Sequence, residues 1–153
     1  MDDSESMRRY WKDVELTLDL LIYLVKKQDP NEVDLLLTNS DAHYKSKKTT
    51  ELLRPIHRHQ PRGVTNMEAS LAKALQKHKA QFRKGELGQP ATLYVLTDGG
   101  WQWGDPATPI GELVDDLRKL GAHEHFGIEF IRFGDDPAAE AKLNALDTLP
   151  TEW

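Results

Sequence analysis

The chain has 153 residues, 39% hydrophobic and 29% charged, which suffices for one domain with a real core. It carries no cysteine, so disulfides, thiolate zinc sites and cysteine nucleophiles are excluded. A formal net charge of -5 gives no reason to expect nucleic-acid binding. The acidic N-terminus lacks an apolar signal core, and the greasiest stretch, Leu16 to Val25, is interrupted by Asp19 and too short to span a bilayer. An intracellular, cytoplasmic location away from membranes is the expectation.

In chain order, Asp2, Ser4 and Ser6 come first, spaced by two. In an extended segment they leave on one face and present one carboxylate and two hydroxyls together. Hard cations such as Mg²⁺ and Mn²⁺ favour such oxygen donors. The bland alternative makes Ser4 and Ser6 caps of the helix that follows. From Tyr10 to Lys27, Val14, Leu18, Leu21, Ile22 and Val25 recur at helical spacing, and Leu20 and Leu24 widen the stripe into a largely buried helix. Asp29-Pro30-Asn31 ends it. Glu32 to Thr38 reads as a buried strand, Asn39-Ser40-Asp41 as a turn, and Ala42 to Lys48 as a polar edge strand guarded by Lys45, Lys47 and Lys48.

Glu51 to His59 is a short helix, with Pro55 in its first turn or at a break. Pro61-Arg62-Gly63 is a loop. Thr65 and Glu68 form T-x-x-E, a capping box for a helix carrying Met67, Leu71, Leu75, His78 and Phe82. His78 is expected as a hydrogen-bonded histidine at the core edge. Gly85 to Pro90 is a linker, and Ala91 to Thr97 a strand covered on both faces. Asp98 to Gly104 is an irregular loop in which Asp98-Gly99-Gly100 is compatible with a simple turn. Trp101 and Trp103 are either binding anchors or packing over the sheet end, and Asp105 has no special role. Thr108 caps a helix with Pro109 as its first residue, ending near Gly121. Phe126 to Phe133 is an apolar strand, and Asp136-Pro137 opens a last helix to about Asp147. Alternating strands and helices predict an α/β fold with a mostly parallel sheet flanked by helices.

The segments Asp2 to Met7, Gly63 to Met67 and Leu96 to Gly99 resemble, in order and context, those of von Willebrand factor A domains. The likeness runs from Asp2 to about Asp147. It implies a single Rossmann-like domain over residues 1–153. It also implies a metal-ion-dependent adhesion site in which Asp2, Ser4, Ser6, Thr65 and Asp98 hold Mg²⁺ or Mn²⁺. Neutral hydroxyl ligands leave the ion short of negative charge, so an acidic side chain of a partner protein completes the shell. The implied role is protein binding without catalysis. In the family a hydrophobic central strand precedes the D-x-S-x-S motif; here only Met1 does, and the end at Leu149 to Trp153 is also short, so the expected domain is incomplete at both ends. Glu5 stands where the family carries a small residue.

Other readings compete. A degenerate scaffold of this family would bind no metal and associate through its apolar surface or a sheet edge. Asp2, Asp3 and Asp98 also invite comparison with a Mg²⁺-dependent phosphohydrolase, but no lysine-bearing motif with a catalytic role lies between them and the two serines go unexplained. His57-Arg58-His59 and His123-Glu124-His125 are read as solvated loop histidines rather than zinc ligands. No Gly-rich nucleotide motif is present.

Overall fold

A computed structural model describes residues 1–28, 31–40 and 42–149. The expected helix stop at Asp29-Pro30, the turn residue Asp41 and the chain end from Pro150 lie outside the described residues. The chain forms α1 (Trp11–Gln28), β1 (Val33–Leu36), β2 (His43–Ser46), α2 (Thr49–Arg58), α3 (Met67–Arg83), β3 (Ala91–Thr97), α4 (Ala107–Lys119), β4 (Phe126–Arg132) and α5 (Pro137–Asp147). Short 3-10 turns at Glu5–Tyr10 and His123–His125 precede α1 and β4. Among the described residues no helix is long and apolar enough to cross a membrane.

The strands make two pairs rather than one mostly parallel sheet. β1 and β2 are antiparallel, with Leu35 opposite Tyr44, while β3 and β4 are parallel, with Val95 opposite Phe130. The N-terminal dipeptide bonds to both pairs. The Met1 amino group donates to the Leu36 carbonyl at 2.8 Å, and the Thr38 N–H donates to the Met1 carbonyl at 3.1 Å. On the other side the Asp2 N–H donates to the Leu96 carbonyl at 2.8 Å. Met1 and Asp2 thus serve backbone groups on both flanks, as strand residues do. Burial lowers the pKa of the Met1 ammonium from its ordinary value, against the opposing pull of the Asp2 and Asp3 carboxylates.

The largest core cluster gathers Met7, Trp11, Val14, Leu18 and Ile22 with Leu35, Leu37, Leu52, Ile56, Leu96 and Phe133. α1 is therefore amphipathic, not largely buried. Its 14–18–22 stripe faces the core, while Leu20 and Leu24, with Leu16 and Tyr23, are exposed. β4 is apolar as its sequence reads, and its apolar residues are half-buried. The outer half of β3 is likewise not covered on both faces, and its burial is concentrated at Val95 to Thr97.

Pro55 lies inside α2, not in its first turn. The N–H it lacks would have met the carbonyl of Glu51, an exposed residue that water can serve. α3 and α4 pack together through Leu75, Phe82, Leu113 and Leu117. The buried Lys79 pairs with Glu112 across this contact, and that hydrogen bond holds the Glu112 carboxyl below its ordinary pKa. His78 meets aromatic rings, with Phe126 edge-on at 4.8 Å and Phe82 at 6.3 Å, and burial lowers its pKa. α5 starts as the sequence predicts, with the Asp136 carboxylate accepting from the Ala138 N–H at 2.9 Å.

α4 starts differently. It begins at Ala107 with Pro106, not Thr108, in the cap position, and the Asp105 carboxylate just before it accepts from the Ala107 N–H at 3.0 Å. The Asp105 N–H in turn donates to Glu68 at 2.9 Å. The capping box of α3 is also overturned. Asn66 is the cap, accepting from the Ala69 N–H at 2.9 Å, which leaves the Thr65 hydroxyl outside the helix.

Candidate functional site

Freed from capping, Thr65 reaches the N-terminal loop, where its hydroxyl donates to Asp2 Oδ1 at 2.6 Å. Two backbone bonds hold the segments together: Arg62 N–H to the Asp3 carbonyl at 2.8 Å and Glu5 N–H to the Gly63 carbonyl at 3.0 Å. Asp2 Oδ1 also accepts from the Ser4 N–H at 3.0 Å, and Oδ2 accepts from the Thr97 hydroxyl at 2.7 Å. Asp2, Thr65 and Thr97 are fully enclosed.

Ser4 precedes the first 3-10 turn but its hydroxyl caps no N–H. It lies 3.1 Å from the Ser6 hydroxyl instead, so the two serines face one another as their spacing predicts. Glu5 between them is exposed and pairs with Arg8 at 3.0 Å, so its carboxylate does not crowd the hydroxyls. Asp98 is buried at the end of β3, directly after the Thr97 that bonds Asp2. Its Oδ1 accepts from the Gly100 N–H at 2.8 Å. A Cβ on Gly100 would stand 2.9 Å from that same oxygen, and one on Gly99 would meet the Ala139 Cβ at 2.7 Å, so both glycines serve close approach. Gly99 also holds φ at +76°, the left-handed region glycine favours.

Four of the five residues singled out in the sequence are joined by hydrogen bonds. Thr65 bonds Asp2 directly, the Ser4 N–H bonds the same oxygen, and Ser6 meets Ser4. Asp98 reaches the group through its neighbour Thr97.

Asp3 belongs to a layer behind them. Its Oδ1 accepts from the Thr38 hydroxyl at 3.0 Å and the Asn39 N–H at 2.8 Å, and its Oδ2 pairs with His59 Nε2 at 2.8 Å. His59 is therefore not a solvated loop histidine; it is mostly enclosed and tilted against the Trp11 ring at 5.5 Å. Sequence reasoning does not find Thr38, His59 or Thr97. Only Thr97 carries a local signal, as the residue before Asp98 at the end of a strand. Of the two loop tryptophans, Trp101 packs and Trp103 is exposed.

The donor chemistry suits a small hard cation. Two cis oxygens on an octahedral ion with bonds of ~2.1 Å stand roughly 3.0 Å apart. The serine pair at 3.1 Å already has that separation. Among the described residues no group of three or more His, Cys, Asp or Glu side chains is placed to hold a metal, so any ion here would depend on hydroxyls. No protein-family model matches the chain, and no curated protein matches it.

Proposed function

We propose that the chain is a von Willebrand factor A-like, Rossmann-like α/β domain that binds an acidic group of a partner protein through a divalent ion, without catalysis. The observation that carries this reading is the convergence of the Ser4 and Ser6 hydroxyls beside a buried Asp2 to which Thr65 donates at 2.6 Å. The bridging of β1 and β3 by Met1 and Asp2 supports the fold, since it gives the loop the strand-end setting that the family motif needs.

Ser4, Ser6 and Thr65 would hold Mg²⁺ or Mn²⁺ directly, with Asp2 and Asp98 behind them. When bound, the ion supplies a Lewis-acidic position for a carboxylate. The chain's own residues do the rest. Asp2 orients Thr65 and the Ser4 backbone, each through one of its accepted hydrogen bonds. Thr97 fixes the other Asp2 oxygen, so the carboxylate cannot rotate away. The Gly100 N–H does the same for Asp98. Because the hydroxyls bring no charge, the site retains affinity for an incoming acid.

Mn²⁺ titration followed by electron paramagnetic resonance tests this. Saturable uptake of one ion is expected, lost in Ser4→Ala with Asp98→Ala. No uptake above background would leave the scaffold reading in its place, and uptake that survives both substitutions would remove these residues as the ligands. Metal-dependent turnover of a generic phosphomonoester, abolished in Asp2→Asn, would instead make the chain a phosphohydrolase.

A further inference from the structure

An open cleft of about 310 Å³ lies beside the loop, lined by Arg8, Arg58, His59, Gln60 and Arg62. Three arginines converge there from the first 3-10 turn, the end of α2 and the segment after it, in a chain whose formal charge is -5. Arg8 is shared with Glu5, and its Nη2 donates to the Pro61 carbonyl at 3.2 Å, which holds it over the cleft. Among the described residues neither Arg58 nor Arg62 has an acidic partner within ion-pair distance. A basic residue in the last turn of α2 is explained by the helix dipole. That accounts for Arg58 but not for Arg62, which lies beyond the helix, or Arg8, which comes from another element. The cleft and the loop share a wall, because Arg62 donates its N–H to the Asp3 carbonyl.

We infer that this cleft receives the carboxylates of an acidic segment of a partner protein, next to the acid that meets the loop. The inference deepens the metal-loop reading and rests on it for that adjoining acid. Guanidinium groups match carboxylates in planar, paired hydrogen bonds. Among the described residues no Phe, Tyr or Trp side chain lines the cleft to stack bases, and the one ring there, His59, is already held by Asp3 and tilted against Trp11. The overall negative charge opposes approach of a long polyanion. A short acidic peptide carries few charges and meets the arginines at a smaller penalty than a long polyanion does.

Fluorescence anisotropy of a labelled hexaglutamate peptide with the full chain tests this at low ionic strength, in Mg²⁺ and in EDTA. Arg58→Ala with Arg62→Ala is expected to weaken binding roughly tenfold in both media. Lys77→Ala with Lys84→Ala, exposed on and just after α3, changes net charge equally and is expected to weaken it less than about twofold. Circular dichroism checks that both variants fold. Equal losses in the two variants, or none in the arginine pair, overturn the cleft. Arginine-dependent binding that ignores both EDTA and Ser4→Ala with Asp98→Ala keeps the cleft and removes the metal reading. Metal-dependent binding that ignores the arginines does the reverse. Tighter arginine-dependent binding of a single-stranded oligonucleotide would overturn the choice of an acidic protein.

Discussion

Thr65 illustrates how one residue changes role when its surroundings are known. Four residues of local sequence make it a helix cap; a hydrogen bond across 63 positions makes it a donor to Asp2 instead. Replacing Thr65 by Val keeps the shape and leaves Asp2 Oδ1 with the Ser4 N–H alone. A loss of about 1–3 kcal/mol is expected in urea denaturation, with Thr65→Ser recovering most of it. A Thr65→Val chain as stable as its parent would mean that the bond carries no weight. The D-x-S-x-S spacing, Thr65 and Asp98 are legible in the sequence because each sits in a short motif with its own turn chemistry. The Asp3–His59 pair is not, because its members lie 56 positions apart and no local pattern joins them. The role of Asp105 is hidden for a smaller reason: Thr108-Pro109 has the composition of a helix start, but the chain begins the turn two residues earlier.

At the level of elements, helical periodicity, apolar runs and turn residues locate the helices and strands of the described residues, since each is written within a few positions. It does not decide how wide a buried stripe is. α1 has apolar residues nearly all round, yet only one face meets the core. Leu18, 4% exposed, and Leu20, 58% exposed, separate the two faces. Leu18→Ala is expected to cost about 2–5 kcal/mol and Leu20→Ala no more than about 0.5 kcal/mol, read from denaturation midpoints. Comparable losses from both would mean that the outer face is covered in solution. The capping shift at α3 has a consequence for the site, because Asn66 takes the helix N–H and the preceding residue is left to point elsewhere.

For the whole molecule, the decisive contact is the one made by its first two residues. Met1 and Asp2 carry hydrogen bonds to β1 and β3, which are otherwise in separate pairs. Chain termini usually fray. Here the Asp2 amide is expected to exchange with deuterium at rates typical of strand amides, slower than the amides of exposed Gly88 and Gln89 in the loop before β3. Exchange as fast as in that loop would show that the dipeptide does not bridge the pairs, and the site would lose its anchor.

Helix periodicity, strand runs, turn residues and the order of three oxygen-bearing segments are written in the sequence itself, because each depends on neighbours a few positions away. Which partner each polar group takes is decided only when the chain closes on itself. Thr97 and Asp2 are 95 positions apart, and the arginines of the cleft come from separate elements. Long-range pairings of that kind follow from how helices and strands pack, and no local pattern encodes them.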